Sequence, residues 1–327
     1  MRRNTSLISC TLSLVSLGAM VGVLWWHSIC GSQMEEFLVP LLCTWSVPWF
    51  FFVSGIFFRH SIERKSLGTF SIGKVRSLVV PYLLWCVIGC LISCWVSPER
   101  ITIVKLFGLL GSPQWNRALW YLRALIFFCF LGVVLYWFVS RLKMMKWTAF
   151  VLMFVPLVLV IHKYLIYIYG PNSSPIYFVL GIALSEKVLR DWRWGRHESL
   201  IGAACLLVAF SFRLIWFGLG YRFSIMGGTF WSNCSTVFLI VGLLVLVRKF
   251  AQRLCAIRLV SYCCSLTAFV YFMHKPINIV LKGIMPEYNA ELRFVTFAVL
   301  SPVVYLAVGF AFKKCLPKAY AILSGGR

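Results

Sequence analysis

ALWYLRALIFFCFLGVVLYWFV, residues 118–139, carries one charged side chain, Arg123, in 22 positions. As a helix it would rise about 33 Å at ~1.5 Å per residue, close to the ~30 Å hydrocarbon core of a bilayer. Nine further apolar runs follow the same logic, so the chain reads as ten spans: 7–29, 37–58, 78–96, 118–139, 147–161, 175–189, 199–218, 230–247, 259–281 and 294–313. The runs at 147–161 and 175–189 are the shortest. Backbone polar groups in lipid must be satisfied within the segment, which makes each run a helix. The expected fold is an all-α, polytopic membrane helix bundle of about ten transmembrane helices, forming a single unit over residues 1–327.

Composition agrees. Hydrophobic residues make up 61% of the 327 positions and charged residues 13%, against roughly 45–50% and about 25% in soluble domains. A soluble fold of this size would expose one continuous apolar patch, which excludes a soluble enzyme, a disordered chain and a small disulfide scaffold. The 13 cysteines show no CxxC spacing and sit mostly inside apolar runs, where free Cys packs as a small hydrophobe. No metal site is expected, and no Walker loop, dinucleotide fingerprint or HExxH motif is present.

The formal charge of +23 comes from 32 Lys and Arg against 9 Asp and Glu. In a membrane protein this excess reports topology rather than nucleic-acid binding, because basic loops stay cytoplasmic. With the N-terminus inside, 22 Lys and Arg fall on inner segments and 8, Arg213 among them, outside or at outer helix ends, while Arg123 and Lys275 lie within spans. Both termini are therefore expected in the cytoplasm.

Ionisable groups at membrane depth are costly and often functional. His27 lies near the outer end of the first span, Arg123 one turn after Trp120, and His274 between Tyr271 and Asn278. Helical spacing puts Ser16, Ala19, Val23 and His27 on one face, and Thr267, Tyr271, His274 and Asn278 on another, with Pro276 expected to kink that helix. All three ionisable groups fall in the outward half, where they could share a cavity. The alternative is that each is a satisfied polar group holding helices together. Gly18-x-x-x-Gly22 reads as a close helix-packing face. Arg59, Arg64, Lys65, Lys74 and Arg76 cluster in one inner connection. Topology alone makes such a cluster common, while its functional reading is a polyphosphate landing site.

Several of these motifs together resemble the acyltransferase 3 family of integral-membrane O-acyltransferases. Val47-Pro48-Trp49-Phe50-Phe51-Phe52-Val53-Ser54-Gly55 is similar to the family's VPLFFxxSG element, and Lys74-Val75-Arg76 with Val80-Pro81-Tyr82-Leu83-Leu84-Trp85 to its basic run before PYLxW. Ala118 through Leu125, Tyr177 through Gly181, and Ser261-Tyr262 through His274-Lys275-Pro276 resemble its LWFLxAL, YFxLG and S…Y…LHxP elements. The first span departs from the pattern, since Ser16 stands where the family carries an Arg, although His27 matches the family's His. Ser77 likewise occupies a position that is often basic in relatives.

The resemblance implies an enzyme of a bacterial plasma membrane that moves an acyl group, acetyl above all, from cytoplasmic acyl-CoA to a hydroxyl of a cell-surface or lipid-linked glycan. Acyl-CoA would be a co-substrate, with no bound cofactor. Its phosphates would be held by Arg59, Arg64, Lys65, Lys74 and Arg76. His27 would be the general base, Arg123 would stabilise the thioester oxyanion, and His274 would be the alternative base. Trp120, Tyr271 and Asn278 would contact substrate, and membrane lipids would surround the bundle. No esterase-like extracytoplasmic domain is expected in this chain, though some relatives carry one. A transporter or flippase of a lipid-linked saccharide, or a structural membrane subunit, would use the same basic loops and buried polar groups.

Overall fold

A computed structural model describes residues 2–28, 31–96, 118–141, 146–169, 174–190, 197–218, 225–284 and 289–326. The connection at 97–117 lies outside the described residues. Every described element is helical: α1 (Arg2–Trp26), α2 (Gln33–Cys43), α3 (Ser46–Ile62), α4 (Leu67–Lys74), a π-helical turn (Val75–Val79), α5 (Val80–Val96), α6 (Trp120–Val139), α7 (Lys146–Tyr169), α8 (Ser174–Arg190), α9 (Glu198–Gly218), α10 (Ile225–Ala256), α11 (Arg258–Ile284), α12 (Ala290–Cys315) and α13 (Pro317–Leu323). Eight stretches among the described residues are long and apolar enough to cross a membrane, with α2–α3 counting as one and α4–α5 as another. The two shorter apolar helices, Lys146–Val158 and Pro175–Ser185, coincide with the two shortest runs in the sequence. All ten expected runs are thus helical, and the chain is an integral, multi-pass membrane protein.

Contacts sort the connections to the two ends that alternation requires. At one end Trp147 Nε1 donates to Glu63 Oε1 at 2.7 Å, Lys249 bonds Ser199, and Lys313 Nζ reaches Ser265 Oγ at 2.8 Å. At the other, Trp25 Nε1 donates to Ala298 O at 3.1 Å and Gln33 N to Glu291 Oε1 at 2.9 Å. The first set joins segments that the positive-inside rule assigns to the cytoplasm, and the second joins outer ones.

Among the described residues, two spans depart from simple rods. The second breaks at Thr44–Trp45, between α2 and α3. The break frees carbonyls, and two donors take them up: Nη1 of the buried Arg213 bonds Leu41 O, and Nε1 of the half-buried Trp45 bonds Leu42 O at 2.7 Å. The third span widens into the π-turn just before Pro81, whose missing N–H deprives Ser77 O of its i+4 donor. Through Pro276, by contrast, α11 continues as a helix.

The frame rests on close helix approach. A Cβ on Gly55 would collide with Phe178 O, and one on Gly181 with Phe52 O, so α3 and α8 meet backbone to backbone. Both glycines end motifs singled out in the sequence, which gives those motifs a packing reason. In the first span Gly22 is the close contact, packed on Ser46, whereas Gly18 has room. Around the crossing, Phe51, Phe58, Phe128, Phe150, Phe154 and Phe178 form a fully buried aromatic core.

Candidate active site

Where α1 ends, His27 sits in the terminal turn with its amide held by Val23 O and Leu24 O, both at 3.2 Å. Its imidazole lies 5.1 Å, centroid to centroid, from that of His274 on α11. One turn further along α11, Asn278 Nδ2 donates to His27 O at 3.1 Å. Two side chains of one α11 face therefore grip the α1 terminus: one touches its ring and the other its carbonyl.

The hydrogen bonds fix the chemistry of both α11 residues. His274 is 0% exposed, and its Nδ1 lies 2.6 Å from Tyr271 O. A carbonyl only accepts, so Nδ1 carries the proton and Nε2 keeps a bare lone pair. Nε2 has no hydrogen-bond partner. By the same argument, the Asn278 bond to His27 O turns Oδ1 the other way, and that oxygen is also without a partner. Two buried acceptors beside His27 thus stand ready for donors, a costly arrangement unless something uses it.

Below the imidazoles runs a polar column. Tyr271 OH donates to Ala118 O at 2.6 Å and its ring meets Tyr121 edge-on at 5.5 Å. Tyr121 OH shares a 3.1 Å hydrogen bond with Ser54 Oγ. Trp120 packs on Phe51, 6.2 Å between centroids, one helical position away from this column. Arg123 has Tyr82 and Cys86 of α5 as its electrostatic neighbours. The structure thus joins His27, His274, Asn278 and Tyr271 in one group and sets Arg123 against α5.

The α1–α2 turn after His27 is held by an acid that sequence reasoning passed over. Glu35 is buried; its Oε2 accepts from Gly31 N at 3.0 Å, and its Oε1 lies 3.1 Å from Ser28 Oγ. Its rarity was the available signal, as one of only 9 acidic residues in the chain. Ser16, standing in place of the expected Arg, accepts a 2.9 Å bond from the fully buried Trp49 indole. The polar position on that face is therefore filled by a neutral pair.

At the opposite end the five basic residues divide. Arg59 is 8% exposed; it donates to Ile182 O at 3.2 Å, pairs with Glu63 at 3.5 Å and lies 4.7 Å above the Trp147 ring. Its guanidinium is occupied in holding α3 to α8. Arg64, Lys65 and Arg76 are exposed, and Lys74 Nζ lies 5.2 Å from the Phe70 ring. These four present free charge for an anion at the surface. Among the described residues no group of three or more His, Cys, Asp or Glu gathers for a metal.

A family model described as an acyltransferase domain matches residues 17–312. No curated protein and no solved structure matches the chain. The match takes in the His27 turn, the α2–α3 element, the basic run and the α11 imidazole together, and by it the chain belongs to the acyltransferase 3 family.

Proposed function

We propose that this protein is an O-acyltransferase of a bacterial plasma membrane, carrying an acetyl or similar acyl group from cytoplasmic acyl-CoA to a hydroxyl of a lipid-linked or surface glycan. The observation that carries the reading is the His27–His274 pair, gripped from α11 and flanked by two unpartnered acceptors. As the sugar hydroxyl oxygen attacks the thioester carbonyl, the C–O bond forms and the hydroxyl proton passes to the His27 imidazole. Arg123 stabilises the oxyanion of the tetrahedral intermediate. Collapse breaks the C–S bond, and the departing thiolate takes the proton back from His27. Tyr271 and Asn278 position the acceptor, with Trp120 at the outer rim.

Arg64, Lys65, Lys74 and Arg76 hold the donor phosphates by charge-assisted bonds. From Arg258, at the start of α11, to His274 is about 24 Å of helix rise at ~1.5 Å per residue. The donor arm therefore runs through the bundle along the Ser54–Tyr121–Tyr271 column, bringing the thioester up to Arg123 and His27. Wild-type and His27→Gln proteins, purified and supplied with isotopically labelled acetyl-CoA and a lipid-linked oligosaccharide, test this by mass spectrometry. An acyl mass increment that needs His27 supports the reading. Its absence from an active preparation, with saccharide transport retained, selects the flippase. The α2–α3 break is the observation that favours that alternative, since interrupted helices also line transporter sites.

A further inference from the structure

We propose that residues 317–326 form a clamp that positions the Lys74–Arg76 segment for the acyl donor, with Trp85, Tyr320 and Gly325 as its positioning residues. The inference rests on the donor reading given above, and its own basis is the backbone of the third span. Pro81 cannot donate to Ser77 O, and the chain widens into a π-turn in which Val80 N bonds Val75 O. Such turns are rare, occur as single turns and concentrate at functional sites. One extra residue per turn rotates everything before it by about 100° relative to a continuous helix. The π-turn therefore decides which way Lys74 and Arg76 face.

What lies against that turn is the carboxy-terminal segment. Gly325 adopts φ +74° and its Cα packs on Ser77 O so closely that any Cβ would collide with the oxygen. Glycine is required there twice over, by conformation and by space. Three anchors hold the segment in place. Trp85 Nε1 donates to Leu323 O at 3.0 Å, so α5 caps the last turn of α13. Tyr320, 3% exposed, packs its ring 4.9 Å from that of Phe269, tilted by 33°, and donates to Ser265 O at 3.0 Å. Burial pushes its phenol up to about 12, so the donated proton stays on the oxygen. Lys313 Nζ bonds Ser265 Oγ at 2.8 Å and lies 5.4 Å from the Tyr320 ring.

The segment thus ties α11 to α5 directly beneath the π-turn, and it lies beyond residue 312, where the family match stops. The clamp lies outside the matched residues and acts on the basic run within them. Its chemistry is positional, because no clamp side chain needs to touch the donor.

The test uses the full chain in nanodiscs, with coenzyme A as the probe. Gly325→Val should raise the coenzyme A Kd about fivefold, no more than removing the Lys74 and Arg76 charges themselves. Trp85→Phe, which removes only the indole N–H, should raise it by a smaller factor of about three. In turnover both variants should raise the donor KM and leave kcat unchanged, and Ile322→Ala, on the exposed side of α13, should match wild type. Hydrogen exchange at the amides of residues 76–80 should speed up in both clamp variants. Faster exchange with unchanged Kd and KM overturns the clamp's role in donor binding, as does a wild-type exchange pattern in both variants. A wild-type protein that fails to bind coenzyme A sinks the donor reading itself and this proposal with it, while the exchange arm still reports the contact.

Discussion

The two ends of the bundle spend polar groups in opposite ways. At the outer end His27, His274, Asn278, Tyr271 and Glu35 are matched to specific partners, mostly backbone carbonyls and amides, and the two spare acceptors are buried beside them. At the inner end Arg64, Lys65 and Arg76 project outward, and only the backbone beneath them sets where they point. The outer group has low tolerance because each atom has one place to be. The inner group acts as a charged surface whose members can substitute for one another. Activity should therefore fail sharply at one end and by degrees at the other.

The most direct way to break this contrast is His27→Gln, which keeps a hydrogen-bonding side chain but cannot take a proton at neutral pH. Glycan acylation should fall by about 10²–10⁴-fold, with expression and coenzyme A binding near wild type. Normal turnover would demote His27 to a helix contact and move the base to His274. A second test asks whether the ends share one frame. Gly181→Val should force the α3–α8 crossing apart and cost about 1–3 kcal/mol or more, read as a lower Tm in detergent, and a wild-type Tm would show that the crossing yields.

Asn278→Leu sharpens the outer side of the comparison by removing the donor to His27 O. We expect kcat to drop about tenfold with donor KM unmoved, whereas a pure KM effect would assign Asn278 to substrate alone. The smallest effect belongs to the inner end. Lys74→Gln with Arg76→Gln should weaken coenzyme A binding several-fold at low salt. The gap from wild type should shrink as ionic strength rises, because exposed charges are screened within about 10 Å at 0.1 M. Equal affinities at every salt concentration would leave these residues with a topological role only.

How far the sequence could be read follows from the range of each interaction. Hydropathy is local, so all ten runs were visible, including the two short ones that became α7 and α8. Helix faces are also local: the spacing of Ser16, Ala19, Val23 and His27 is legible, and Ala19 and Val23 are buried as that face implies. What one run meets in another is not local. Arg59 reads like Arg64 in the chain, yet one lies against Trp147 and Ile182 O while the other is exposed. Arg213 counted only as an outer basic residue, although its guanidinium holds Leu41 O and Ser235 Oγ across three helices. Pro40, Pro48 and Pro81 lie in the two irregular spans, while the helix runs on through Pro276, the proline singled out in the sequence; a proline announces a lost donor without saying what replaces it.

The reciprocal contact of Gly55 and Gly181 has a kinematic consequence. Because each glycine faces the other helix's carbonyl, α3 and α8 cannot slide without lifting a Cα over an oxygen. Ser185 Oγ to Ile56 O, at 3.1 Å, and Arg59 to Ile182 O lock the same pair lower down. The two helices therefore travel as one beam. Any opening that admits substrate has to be hinged elsewhere, and among the described residues the irregular backbone offers three joints: the terminal turn of α1 at His27, the break at Thr44–Trp45 and the π-turn before Pro81.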